Sequence, residues 1–176
     1  MVRVLGQAVD YLLGGLRCAR GAALSLPTPC AGWDLRTLLA HVDDSLGALA
    51  EAAGTGRVTL EAVPGCGHVD DLGERARALP AAWAGVSTVT IGGVPVEPDL
   101  VIAAGAIELA VHGWDVAAAC GARRPIPDEL ALALWRVAPA LVTEADRPWR
   151  FAEPVPVSEG SGAGDRLLAF LGRVPR

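Results

Sequence analysis

The run from Pro98 to Gly121, PDLVIAAGAIELAVHGWDVAAACG, constrains this chain most, because it reads as one long helix carrying Glu108 and His112 four residues apart. Pro98 suits the first turn of that helix and Gly121 its C-terminal stop. Side chains four apart share a helix face, with Cβ atoms about 5–6 Å apart, so one divalent ion can take both. About seventy residues earlier, His41 sits in WDLRTLLAHVDDSLGALA, which also reads as helix. A third ligand from a packed neighbouring helix would complete a two-His, one-carboxylate site with room left for water or substrate. The same spacing fits an exposed helix pair worth roughly a few tenths of a kcal/mol. Burying Glu108 without a partner would cost several kcal/mol, and that cost is what favours a ligand role.

The rest of the chain is punctuated like a helical protein. From about Val4 to Ala22, Leu5, Val9, Leu12, Leu13 and Leu16 recur at spacings of three and four. SLPTPCAGW breaks the pattern, and Asp34 is placed to cap a second helix from Leu35 to about Ala53. The stripe of that helix, Leu38, Val42, Leu46 and Leu49, leaves His41 at the edge of its buried face. Residues 54–68 read as a loop. A third helix is expected from Asp70 or Asp71 to Ala84, kinked or split at Pro80. STVTIGGVPVE alternates around Gly92-Gly93 as a short β-hairpin. Further helices are expected over Asp128–Val142 and Asp165–Leu171, with FAEPVPV extended between them. The fold class is all-α: one domain, 1–176, built as a four-helix bundle with a short hairpin and a short C-terminal extension.

Composition narrows the partners. A net charge of −5 argues against a nucleic-acid backbone. The 15 basic residues are all Arg, a bias we attribute to a GC-rich genome. No apolar run approaches the roughly 20 residues of a membrane span, and the first residues lack a signal-peptide cleavage site. The expectation is a cytoplasmic protein without nucleic-acid or membrane partners. Cys18, Cys30, Cys66 and Cys120 form no CxxC pair, so they read as reduced thiols.

Asp44 follows His41 by three residues and Asp115 follows His112 by three, so either carboxylate can accept a hydrogen bond from its neighbour's other ring nitrogen. Asp44 is the candidate for orientation or proton transfer. His68, in a Gly-rich loop, is expected to be exposed. Cys30 is read as starting the second helix, roughly 16 Å along the axis from His41 at 1.5 Å per residue, and so is not expected to be a ligand. No Ser-His-Asp order, P-loop or GxGxxG cradle is present, which leaves a metal to run any chemistry.

TPCAGWDLRTLLAHV, ELAVHGWDVAAACG and DRLLAFLGRVP together resemble the DinB/YfiT-like metalloenzyme family, in its actinobacterial branch related to the N-terminal domain of mycothiol-dependent maleylpyruvate isomerase. The similarity runs from the first helix to the last. It implies a four-helix bundle holding a divalent metal through His41, Glu108 and His112, a Glu standing where the superfamily usually has a third His. It implies a metal-dependent S-transferase or isomerase acting on a small electrophile, with Zn²⁺ as the metal (Ni²⁺ and Fe²⁺ being compatible) and mycothiol as cosubstrate. The chain ends without the second domain of the isomerase, so maleylpyruvate is not implied as substrate. A metal-assisted hydrolase and a non-catalytic metal- or ligand-binding bundle are the alternatives. A homodimer through helix faces is compatible with the resemblance.

Overall fold

The computed structural model describes residues 1–59, 68–147 and 150–175. Four long helices form the body: α1 (Val2–Ala19), α2 (Leu35–Thr55), α3 (Val69–Ala82) and α4 (Pro98–Ala119). Around the bundle the order is α1, α4, α2, α3, each packing on the next and α3 closing on α1. The expected apolar stripes supply the core, with Leu5, Leu12, Leu38 and Leu46 fully buried. This is the all-α bundle with a short hairpin that the sequence implies.

Local chemistry sets the helix ends. Asp34 caps α2, its carboxylate accepting the Thr37 backbone N–H at 2.8 Å. That hydrogen bond, with a second from the Thr37 hydroxyl, holds the Asp34 carboxyl below the usual carboxylate range. A lowered folded-state pKa means that the cap stabilises above the unfolded pKa and is lost as pH falls through the folded one. Asp34→Ala is therefore expected to melt earlier than wild type near neutral pH. The gap should close in acid, and a gap that stays constant with pH would remove the cap from the account.

α4 departs from one expectation. By length and composition it is apolar enough to cross a membrane, contrary to the expectation that no apolar run approaches a span, yet most of it is buried inside the protein. Between Leu100 and Ala119 its ionisable residues are Glu108, His112 and Asp115. α4 lies tight on α1 because Gly15 and Gly113 face each other there. A Cβ on Gly113 would come within 2.9 Å of the Leu12 Cα, and one on Gly15 would strike the Gly113 carbonyl.

Other elements differ from the sequence reading in detail. α3 runs through Pro80 without splitting and ends two residues later, at Ala82. The helix expected over Asp128–Val142 is two, α5 (Asp128–Trp135) and α6 (Ala138–Leu141). Pro139 explains the break: it has no N–H for the Trp135 carbonyl and its ring clashes with that carbonyl. Strands β2 (Val89–Ile91) and β3 (Val94–Val96) form the expected hairpin, in the register Val89↔Val96. Residues 54–68 are not all loop, since β1 (Arg57–Val58) pairs in parallel with β2. Gly54 and Thr55 are the last residues of α2, and residues 60–67, Cys66 included, lie outside the described residues. Beyond a 3₁₀ turn at Glu144–Asp146, FAEPVPV (151–157) belongs to no helix or strand, and α7 (Ala163–Phe170) packs on α5.

Candidate metal centre

α2 and α4 bring His41, Glu108 and His112 together, as the sequence reading expected. The Glu108 Oε2 lies 3.3 Å from His41 Nε2 and 3.0 Å from His112 Nε2. One donor atom from each residue lies within 4.8 Å of the other two. The two imidazoles meet edge-on, with ring centroids 4.8 Å apart. His112 is buried, while His41 and Glu108 are each about one-third exposed toward a cavity of about 570 Å³.

The second ring nitrogen of His112 is also held. Nδ1 lies 3.0 Å from Oδ2 of Asp115, the pairing anticipated from their spacing. That bond fixes the ring and leaves Nε2 pointing at Glu108 and His41. Asp115 is fully buried and grips Arg173, with Nη2 at 2.9 Å from Oδ2 and Nε at 3.2 Å from Oδ1. Burial pushes the Asp115 carboxyl up, but hydrogen bonds from His112 and Arg173 outweigh it and hold the group below the carboxylate range. Burial alone would lower His112; the bonds to Asp115, Cys30 and Glu108 instead raise it well above the ordinary imidazole value. Burial likewise pushes Glu108 up, yet its two histidine partners bring it far below the usual carboxylate range.

These partners decide whether the residues fit a cation. Arg173 neutralises Asp115, whereas the charge of Glu108 faces only two imidazoles. In the metal-free protein the raised His112 is an imidazolium held between Glu108 and Asp115; an ion would take the place of its Nε2 proton, with Glu108 supplying the negative charge and the two Nε2 atoms the other donors. Such a donor set suits a divalent ion of the imidazole-and-carboxylate class, and the cavity leaves the open positions that a closed structural site lacks.

The structure relocates other residues singled out in the sequence. Cys30 is not on α2. The chain from Pro27 to Asp34 doubles back, with a bridge between those two residues and a Trp33 N–H bond to the Cys30 carbonyl. Counting 1.5 Å per residue therefore fails, and the Cys30 thiol lines the cavity 3.2 Å from Asp115 Oδ2. Together with His112 and Asp115 it forms a second group of donors within 4.8 Å of one another. Asp44 is exposed on α2 and does not line the cavity, and among the described residues no hydrogen bond joins it to His41. His68 is exposed just before α3, as expected.

Four side chains that shape the site were not read from the sequence. Trp33 lies against both imidazoles, with centroids 5.0 Å from His41 and 6.4 Å from His112. Phe151 and Arg150 add a wall from the segment after α6. Arg173 follows α7, and its signal was present in DRLLAFLGRVP, where an Arg directly succeeds a helix-stopping Gly.

The comparisons with known proteins bear on this geometry. Residues 5–71 match the family described as the mycothiol maleylpyruvate isomerase N-terminal domain. The resemblance drawn from the sequence is thus matched across α1, the Cys30–Trp33 turn and α2, a span that holds His41 but stops short of Glu108 and His112. Two uncharacterized Mycobacterium tuberculosis proteins, from strains CDC 1551 / Oshkosh and ATCC 25618 / H37Rv, are 29% identical to the chain. Each alignment covers 97% of this chain and 96% of the relative. No solved structure matches significantly.

Proposed function

We propose that this chain is a divalent-metal-dependent enzyme of low-molecular-weight thiol chemistry, a mycothiol-type S-transferase or isomerase acting on a small electrophile. The observation that carries the proposal is the convergence of His41, Glu108 and His112 on one wall of a cavity large enough for both reactants. The match to the mycothiol maleylpyruvate isomerase N-terminal domain supports the thiol. A divalent ion bound there would supply Lewis acidity and keep a coordinating thiol deprotonated.

The chain's own residues do the rest. Glu108 provides the negative charge that holds a cation and leaves the centre with a net charge near +1, favourable to an anionic group on the electrophile. Asp115 fixes the His112 ring through Nδ1. Trp33, Ile107, Val111 and Phe151 give the cavity apolar walls that exclude water from the reactants. Arg150 lines the same cavity with a largely exposed guanidinium paired to Asp146 at 3.6 Å, an ion pair for which a carboxylate on the substrate would compete.

The test is a screen of Zn²⁺-loaded protein with mycothiol and a panel of small electrophiles, following loss of free thiol. Consumption by wild type and none by His41→Ala is the expected result. Product formed at the same rate without thiol would replace the proposal with metal-assisted hydrolysis.

A further inference from the structure

We infer that Arg173, delivered by the segment after α7, is a positioning residue for His112: it clamps Asp115, and Asp115 in turn holds the imidazole. The metal readout below rests on the proposed function; the metal-free readout does not.

Three separate parts of the chain converge on the Asp115 carboxylate. α4 supplies Asp115 and His112, the turn before α2 supplies Cys30, and the segment after α7 supplies Arg173. Oδ2 alone receives His112 Nδ1 at 3.0 Å, Arg173 Nη2 at 2.9 Å and the Cys30 thiol at 3.2 Å. Oδ1 takes Arg173 Nε at 3.2 Å. The two-pronged grip fixes the plane of the carboxylate, which a point charge could not do. It is also what makes a fully buried carboxylate tolerable. Without the guanidinium, the Asp115 carboxylate is free to turn toward other donors, which loosens the Nδ1 bond that aims His112 Nε2 at Glu108.

The backbone is shaped to deliver this one side chain. α7 ends with the Gly172 N–H on the Ala169 carbonyl and the Arg173 N–H on the Leu168 carbonyl at 2.8 Å, a Schellman ending. Gly172 has φ 76°, and a Cβ there would lie 2.8 Å from the Ala152 carbonyl oxygen, so only glycine makes the turn. The chain reverses at that point and lays Arg173 against α4 with its side chain only 11% exposed. The guanidinium also donates from Nη1 to the Leu171 carbonyl and approaches the Cys30 sulfur at 3.3 Å. The Gly-Arg pair of DRLLAFLGRVP therefore reads as a device: glycine for the turn, arginine for the clamp.

The experiment compares wild type, Arg173→Met, Arg173→Lys, Asp115→Asn and the Arg173→Met/Asp115→Asn double variant. Co²⁺ titration reads the site, with the visible absorption of the bound ion reporting its geometry. In metal-free protein, the Nδ1–H resonance of His112 and its exchange with water report the Asp115 bond directly. Arg173→Met is expected to weaken Co²⁺ binding by about 10–100-fold, to alter the Co²⁺ spectrum and to abolish the slow exchange of the Nδ1–H. Arg173→Lys should lie between Met and wild type. In the Asp115→Asn background the Met substitution should add little, because the clamp then has nothing to hold. Unchanged Co²⁺ affinity in Arg173→Met, or losses that multiply in the double variant, would overturn the inference. Should wild type take up no Co²⁺, the proposed metal function fails, and the His112 resonance alone decides the role of Arg173. If circular dichroism shows Arg173→Met unfolded, Arg173→Lys decides, wild-type behaviour in both readouts counting against the clamp.

Discussion

Glu108→Ala is expected to abolish divalent-metal binding while the helical content of the protein stays that of wild type. Glu108 is the anionic member of the His41, Glu108 and His112 cluster, and its Oε2 is the atom to which both imidazoles turn. Removing it leaves two neutral donors on different helices and no charge to offset a cation. The fold should survive because the apolar core lies elsewhere, in the stripes of α1, α2 and α4, and because His112 keeps its hydrogen bond to Asp115. Elemental mass spectrometry of the two purified proteins makes the comparison: about one ion per chain in wild type, and background in the variant. Thermal melts supply a check that does not rest on purification. A ligand at 100 times its Kd stabilises the folded state by about 2.7 kcal/mol, which in a protein of this size is roughly 5–10 °C. Wild type should show that rise on adding Zn²⁺ and Glu108→Ala should not. Wild-type metal content in Glu108→Ala would sink the ligand assignment.

What could be read from the sequence follows how local each determinant is. Helix periodicity, the Asp34 cap and the Gly92-Gly93 turn are set by residues within one or two turns of each other, and they appear where the pattern places them. The Glu108–His112 pair was legible for the same reason: one helix carries both. His41 was legible only because an amphipathic stripe shows which side of α2 faces its neighbours. Cys30 and Trp33 were not, because a turn stitched by Thr28 and Trp33 carries them, and helix arithmetic does not extend into a turn. Arg173 was hidden for a different reason. Its partner Asp115 is 58 residues away, and no periodicity links the end of α7 to the middle of α4. Asp44 shows the opposite failure, a local spacing identical to that of Asp115 and His112 that leaves the side chain exposed. The i, i+3 spacing names a candidate; whether the pair forms depends on what covers the helix face at that point.

Gly113→Ala is expected to be strongly destabilising although the added methyl touches no donor. The added Cβ would sit 2.9 Å from the Leu12 Cα and 3.3 Å from both the Leu12 nitrogen and the Tyr11 ring. Two of these atoms are backbone, so no side-chain rotation relieves the contact, and α1 and α4 must separate. Overpacking of this kind costs about 1–3 kcal/mol, roughly 2–12 °C in melting temperature for a chain of this length. Gly160→Ala is the control, since a Cβ there meets nothing within 4 Å, and its melting temperature should match wild type. The effect should extend beyond stability. Gly113 follows His112 directly, and α4 lies between α1 and α2, so a helix pushed off α1 moves toward His41. The distance between the two imidazoles is then changed without touching either one. Gly113→Ala protein that still folds is accordingly expected to bind Co²⁺ more weakly than wild type, whereas Gly160→Ala is not. A variant that melts early but binds Co²⁺ normally would mean that the glycine contact serves the fold alone, and that α2, rather than the α1–α4 crossing, sets the spacing of the donors.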